Sequence, residues 1–330
     1  MAQALSVAQH LGTDHHTFEV TPSAMDVVER LVWHFDEPFG DSSAIPTWYV
    51  AEQTRQQVTV ALTGDGGDEL FCGYPRYRAV RWGDRVDRLP RWIRAMAGSR
   101  FWQRLPGARR KSLLRQFKRL SGPLTLEAPR RYLEWIAIFD EASRADLYAD
   151  DFLERLPDTD PYEFLASAWR RAGRRDAVTT AACADLQTYL PCDLMTKVDI
   201  ASMAHSLECR QPFLDHRVVE LAVAMPTRHK FRRGRGKRML RQAFGDLLPG
   251  AVFDRPKMGF GVPLDRWFRN ELREFAHEIL LDDRCSRRAI FRPTAVQRLL
   301  DEHCRRRRDH SDRLWALLVL ELWHRQWVDK

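Results

Sequence analysis

The sequence predicts an α/β protein: a partial parallel sheet near the start of the chain and a large helical C-terminal portion. Three observations carry this. Amphipathic helical stretches alternate with short β-rich runs over roughly the first 80 residues, the pattern of βαβ units. One of those runs, "VTVAL" (58–62), is continuously apolar and suits a strand covered on both faces. From Arg81 onward the pattern turns helical and rich in Arg and Trp, punctuated by Pro and Gly.

The elements follow in order. "MAQALSVAQHLG" places Ala4, Leu5, Ala8 and Leu11 at helical spacing and stops at Gly12. "HHTFEV" (15–20) is expected as a short strand, and "AMDVVERLVWHF" as a second amphipathic helix. "DEPFGDSSAIPT" is rich in turn formers, and "TWYVAEQTRQ" after it is expected to be helical. Beyond Arg81, "DRVDRLPRWIRAMAG", "RKSLLRQFKRL", "PRRYLEWIAIF" and "DPYEFLASAWRRA" all have helical spacing. The pattern from Ala177 to the end stays helical, broken by "RQPFLD", "RGRGK" and "RPKMGFGVP". No internal repeat or low-complexity linker is present.

Bulk properties exclude several classes. With 330 residues, 44% hydrophobic and 30% charged, the chain can bury a core and is not compositionally disordered. The longest apolar run, "LWALLVLELW", is about half a bilayer span and carries Glu321, so no membrane partner is expected. No signal-peptide pattern and no C-x-x-C pair occurs among the six cysteines, which predicts reduced thiols in a cytoplasmic protein. The net charge of +8 is concentrated in Arg228–Arg238 and Cys304–Arg308. Neither cluster has zinc-finger spacing or an aromatic RNA-binding signature, so no nucleic-acid partner is expected. His15-His16 and His303-Cys304 lack zinc spacing, and Trp315, Trp323 and Trp327 recur at helix-packing intervals.

The most informative stretch is "TGDGGDELFCGY", directly after "VTVAL". A parallel sheet places ligands beyond the carboxyl ends of its strands, which is where Thr63–Glu69 lies. Its glycines allow positive φ and close backbone approach. The plainest reading is a turn whose Asp68 and Glu69 favour the start of a helix. A calcium loop fails, because counting from Asp65 puts Leu70 at the required glycine and Arg76 at the terminal glutamate. A dinucleotide fingerprint fails at Glu69, and "GRGKR" lacks the Ser or Thr of a P-loop. What remains is a Mg²⁺–phosphate reading, in which the metal reverses the repulsion between carboxylates and phosphate. Two further segments fit it. "LPCDLMTKVDIASMAHSLECRQPFLDH" contains Asp193, Lys197, Asp199, Glu208, Arg210 and Asp215, whose apolar setting predicts partial burial. "RPKMGFGVP" places Lys257 in a Pro/Gly-rich loop, as a positioned ammonium for developing phosphate charge.

Taken in order, "ALTGDGGDELFCGYPRY", "LPCDLMTKVDIASMAHSLECRQPFLDH" and "GKRMLRQAF…RPKMGFGVPLDRWF" closely resemble the synthetase domain of glutamine-dependent asparagine synthetases, and "DEPFGDSSAIPT" adds to the likeness. The resemblance covers roughly residues 1–270. It implies an ATP-pyrophosphatase (adenine nucleotide alpha hydrolase-like) fold over 1–330, with 1–80 as the nucleotide-binding part and 81–330 mainly helical. It implies ATP and Mg²⁺ as cofactors. Aspartate would be adenylated to β-aspartyl-AMP and amidated by ammonia from glutamine. A homodimer is compatible with it. By motif position, Thr63, Gly64 and Gly66 would contact ATP, Asp65 and Lys257 would be catalytic, and Asp68 would be a metal ligand. Asp199, Glu208 and Arg210 would lie on the substrate side. Members of the family also amidate other carboxylates, sugar acids included. The family's Ser-Gly-Gly-x-Asp-Ser loop is not found in this sequence, nor its glutaminase domain. The expectation is therefore an N-terminally truncated chain with an exposed sheet edge, inactive or nearly so alone. A non-catalytic remnant is the competing reading.

Overall fold

The computed structural model describes residues 2–97, 120–250, 252 and 259–329. Lys257 and the segment "RKSLLRQFKRL", apart from Leu120, lie outside them. Helix α1 (Ala2–Leu11) ends where Gly12 turns left-handed at φ 64°. Helix α2 (Ala24–Phe35) begins at Ser23, whose hydroxyl accepts the Asp26 N–H. Its buried Val27, Val28, Leu31, Val32 and Phe35 form one helical stripe. Helix α3 (Ala44–Arg55) starts inside the stretch expected as a turn. Pro46 permits this, because first-turn N–H groups have no helical acceptor to lose.

Strand β1 (Val60–Leu62) leads into the one-turn helix α4 (Gly67–Leu70), then α5 (Arg76–Val86) and α6 (Arg91–Ala97). After them come α7 (Ala128–Ile136), α8 (Glu141–Leu147), α9 (Asp150–Arg155), α10 (Tyr162–Arg171) and α11 (Ala177–Gln187). A π-helical turn, Leu190–Met195, joins α11 to α12 (Thr196–Met203). Strand β2 (Glu208–Arg210) pairs parallel with β1, Val60 opposite Glu208 and Leu62 opposite Arg210. Then follow α13 (His216–Ala224), α14 (Thr227–Lys230), α15 (Arg238–Ala243), α16 (Leu264–Trp267), α17 (Arg273–Leu281), α18 (Asp283–Arg287), α19 (Pro293–Cys304) and α20 (Ser311–Trp323). The protein is thus mixed α/β and mostly helical, with a small parallel sheet.

Two strand expectations are corrected. "HHTFEV" is not a strand: it is exposed and no neighbouring strand pairs with it. "VTVAL" is a strand only over its last three residues, and it is not covered on both faces. Val58 and Val60 are exposed, and Leu62 is 72% accessible. Among the described residues the sheet has two strands and no layer over this face, so its apolar side chains there have nothing to pack against.

The packing lies elsewhere. The largest core joins α2 and α3 to α16, α17, α19 and α20, around Trp48, Phe268, Leu300, Leu314 and Trp315. The N-terminal helices therefore share their interior with the C-terminal ones. Trp327 stacks on Trp33 at 4.9 Å, and the Trp323 indole donates to the Asp36 carbonyl at 2.8 Å, so both tryptophans pack helices as expected. A second core joins α5, α7, α10 and α11 around Tyr77, Tyr132 and Ala181. A third, around Leu70, Phe71 and Ala222, sits beneath the acidic turn. Helix α11 is buried on all sides from Val178 to Asp185, which its small side chains permit.

Burial fixes the expected sensitivities. Trp315→Ala should lower unfolding free energy by about 3–5 kcal/mol, through the lost contacts and the cavity. Leu62→Ser should change it by less than about 0.5 kcal/mol, since the side chain is already in water. Urea titrations followed by circular dichroism compare the two, and equal losses would contradict the exposure of the sheet.

Candidate functional site

The site begins where β1 ends. The Thr63 N–H donates to the Arg210 carbonyl at 2.9 Å, which extends the strand pairing by one bond. The Thr63 hydroxyl donates to Asp65 Oδ2 at 2.7 Å and turns that carboxylate back over the strand end. Among the described residues no atom lies within 4 Å of where a Gly64 Cβ would be, so none of them blocks its backbone. Gly66 is left-handed at φ 83°, and a Cβ there would stand 2.2 Å from Leu214 Cδ2. The glycine is therefore required twice, by conformation and by room. Thr63, Gly64, Asp65, Gly66 and Asp68 are thus together on one turn at the carboxyl end of a parallel strand.

Asp68 meets a cation that the sequence reading did not assign to it. Lys237 Nζ lies 2.7 Å from Asp68 Oδ1. The basic stretch reaches it through a tight hairpin, in which Arg232 and Arg235 exchange backbone hydrogen bonds of 3.0 Å. Arg233 and Gly234 between them both have positive φ, as a two-residue type I′ turn requires. Lys237 N–H then donates to the Phe71 carbonyl at 2.7 Å, and a Cβ at Gly236 would come within 1.9 Å of the Cys72 oxygen. The glycine-rich spacing of "RGRGK" was the available signal for this close approach.

Behind the turn lies a buried polar network. Glu69 is buried and accepts the Tyr74 hydroxyl at 2.5 Å. Burial pushes its carboxyl up, and the Tyr74 hydrogen bond only partly opposes this. Arg76 Cζ lies 4.2 Å from the Tyr74 ring centroid and 4.3 Å from that of Tyr189. Its guanidinium donates to Asp185 Oδ2 through Nη2 at 2.9 Å and Nε at 3.2 Å. Asp185 is wholly inaccessible and also accepts the Tyr77 hydroxyl at 2.6 Å and the Tyr132 hydroxyl at 2.7 Å. Burial keeps its carboxyl above the ordinary carboxylate value even against these donors.

A second cluster lies one turn past Tyr189. Lys197, buried on α12, donates to Asp41 Oδ2 and Ser43 Oγ, each at 2.6 Å. Ser43 returns its hydroxyl to Asp41 Oδ2 at 2.6 Å and its N–H to Oδ1 at 2.9 Å. Burial works against charge on Asp41, but the Lys197 ammonium and these hydrogen bonds hold it below its usual value. Asp193, on the π-helical turn, faces the same group. Burial and the Asp41 carboxylate push it up to about 7, against Lys197 and Arg76. The carboxylates of "DEPFGDSS" and "LPCDLMTK" are therefore neighbours, which neither segment shows by itself.

The remaining expected residues are differently placed. Partial burial is corrected for three charges. Asp199 is exposed on α12, and its carbonyl accepts Ser202 Oγ at 3.2 Å. Glu208 and Arg210 are exposed on β2 and pair with each other at 2.6 Å. Both lie on the uncovered face of the sheet beside Leu62, which explains their exposure. Cys72 is buried, with its thiol pushed up to about 11 chiefly by burial, which suits a core side chain. Among the described residues no group of three or more His, Cys, Asp or Glu side chains could hold a metal ion. Asp65 and Asp68 are two carboxylates on one turn, which still fits Mg²⁺, an ion that takes one or two protein carboxylates and completes its shell with water and phosphate oxygens.

The fold and the turn together define a mixed α/β protein whose polar centre lies beyond the carboxyl end of a parallel strand. The chain belongs to the asparagine synthase family, whose description it matches over residues 1–325. It is similar to asparagine synthetase (glutamine-hydrolyzing) 1 of Bacillus subtilis, 32% identical over 330 residues, covering 99% of this chain and 50% of that protein. A putative asparagine synthetase (glutamine-hydrolyzing) of Mycobacterium bovis is 34% identical over 328 residues, covering 99% of this chain and 48% of that protein. Amidase chry2 of Gibberella zeae is 21% identical over 304 residues. The chain thus spans about half the length of the first two relatives.

Two outcomes follow from this geometry. Gly66→Ala should lower stability by about 1–3 kcal/mol in chemical denaturation, from a strained φ and the Leu214 contact. Asp193 holds its proton more tightly folded than unfolded, so its contribution is fully present below the unfolded value of 3.8 and is lost as pH rises through about 7. Stability should therefore fall across that window, and Asp193→Asn should flatten this part of a pH series of thermal melts. An unchanged slope would contradict the placement of Asp193.

Proposed function

We propose that this chain supplies the synthetase half of an ATP-dependent amidation, in which aspartate is activated as β-aspartyl-AMP and then amidated by glutamine-derived ammonia. The observation that carries the proposal is the Thr63–Asp68 turn, in a chain of the asparagine synthase family. Open backbone at Gly64 and two carboxylates stand together at the carboxyl end of a parallel strand. Its similarity to asparagine synthetases (glutamine-hydrolyzing) supports the reaction, and the ATP-pyrophosphatase type of fold is proposed with it.

In this reading Thr63, Gly64 and Gly66 bind the nucleotide through their backbone. Asp65 and Asp68 hold Mg²⁺ on the phosphates, and the metal, when bound, neutralises phosphate charge. Asp65 is kept oriented by the Thr63 hydroxyl, ready to serve the amidation step. Lys237 balances Asp68 and cancels the carboxylate's repulsion of an approaching anion. Lys257 is proposed to face the α-phosphate. Asp199, Glu208 and Arg210 are proposed for the acceptor side, with Glu208 and Arg210 on the strand next to the turn.

Nucleotide binding is the first test. Mg-ATP should raise the melting temperature, and Asp68→Ala should abolish the shift while leaving the unliganded melt within a few degrees of wild type. No shift in the wild-type chain would favour a non-catalytic remnant and overturn the proposal. Aspartate-dependent exchange of labelled pyrophosphate into ATP reads the activity itself. Because the relatives are about twice as long, the chain alone should exchange far more slowly than a full-length relative.

A further inference from the structure

The Asp41–Lys197–Asp193 cluster is not used by the acidic turn, and its charges balance only while Asp193 keeps the proton that burial and the Asp41 carboxylate hold on it up to about pH 7. Two carboxylates face one ammonium. Lys197 spends two of its three protons on Asp41 and Ser43. Asp41 is fully served, receiving Lys197 on Oδ2 and Ser43 on both oxygens. Asp193 is not: its Oδ1 is buried and accepts no hydrogen bond. Arg76, the other cation acting on Asp193 among the described residues, is committed to Asp185 and stacked between Tyr74 and Tyr189. Once Asp193 gives up its proton, this buried oxygen has no donor, which is costly, and a group that takes the proton's place must be both a donor and a cation.

We infer that Asp193 and Asp41 together receive a primary ammonium group, with Lys197 and Ser43 holding Asp41 in place; as a part of the active centre, this rests on the proposed amidation. An ammonium replaces the Asp193 proton with a positive charge and brings up to three N–H donors to acceptors that face each other. A divalent metal suits the cluster less well. It would bring two positive charges against the Lys197 ammonium, where a primary ammonium brings one. The position is also right. Asp193 lies on a π-helical turn, a distortion common at functional sites, and the adjacent Cys192 is exposed, so the cluster borders solvent. The Tyr189 ring lies 6.0 Å from that of Tyr74, whose hydroxyl binds Glu69 of the acidic turn's helix. The ammonium could be the α-ammonium of the acceptor or ammonium itself as the nitrogen source.

Calorimetry in the presence of Mg-ATP separates these sources. Aspartate, succinate (the same diacid without the ammonium) and ammonium chloride are each titrated near pH 7 in two buffers of different ionisation enthalpy. Entry of an ammonium should displace the proton of Asp193, and the difference between buffers reports that release. If the acceptor's ammonium binds here, aspartate should bind at least about tenfold tighter than succinate and release a proton. Asp193→Asn should remove both effects, and Asp193→Glu should restore part of the preference. If free ammonium binds here, ammonium chloride should release the proton and aspartate should show no advantage. Proton release from neither overturns the inference, as does a preference for aspartate that survives in Asp193→Asn. The wild-type comparison of aspartate with succinate needs no variant to fold. Loss of the Mg-ATP shift itself marks failure of the amidation reading, whereas a retained shift with equal aspartate and succinate binding and no proton release marks failure of the ammonium site alone.

Discussion

The architecture depends on one buried ion pair, Arg76 with Asp185. A carboxylate without solvent access persists only if its oxygens are filled, and Asp185 receives Arg76, Tyr77 and Tyr132. Those donors come from α5 and α7, so the pair locks α11 against two other helices by directional bonds rather than by apolar packing alone. Helix α11 needs that constraint. Its buried surface is largely Ala and Thr, which offers little shape to fix its rotation. Once Asp185 is fixed, Tyr189 follows one turn later and closes over Arg76, with Tyr74 on the other side. Tyr74 in turn fixes Glu69 within the acidic turn's helix, and Asp193 follows Tyr189 toward Asp41. The acidic turn and the carboxylate–lysine cluster are thus two ends of one network with Arg76 at its middle.

Legibility followed the range of the interactions. Helices α2 and α20 were readable because their burial repeats within a turn or two of chain. The acidic turn was readable because its glycines and acids are contiguous, and the observed φ of Gly66 agrees with that reading. Strands were not, since a strand exists only when a partner is present. The partner of β1 lies near residue 209, far along the chain, and "HHTFEV" has none among the described residues. Charge burial failed for the same reason. Asp193 and Lys197 are enclosed because α3 packs on α12, whereas Asp199, Glu208 and Arg210, a few residues on, are covered by none of the described residues. Lys237 was hidden inside a basic run that resembles a solvated face, and only the tight approach of Gly236 to Cys72 singles it out.

The uncovered sheet has a consequence for how the turn is held. A loop at a strand end is usually positioned by the sheet beneath it, but β1 has one neighbour and an exposed face. Here the grip comes from the helical side. Leu214 occupies the space at Gly66, Phe213 lies against Gly67, Asp68 packs on Gly73, and the Cys72 carbonyl seats Gly236. A Cβ would collide at Gly66, Gly73 and Gly236 and crowd Phe213 at Gly67, so these four glycines form one close-packed seam behind the turn. The seam fixes the turn from below and behind. Gly64 stands outside the seam: among the described residues no atom lies within 4 Å of where its Cβ would be, so its conformation is set by the strand end and not by side-chain packing.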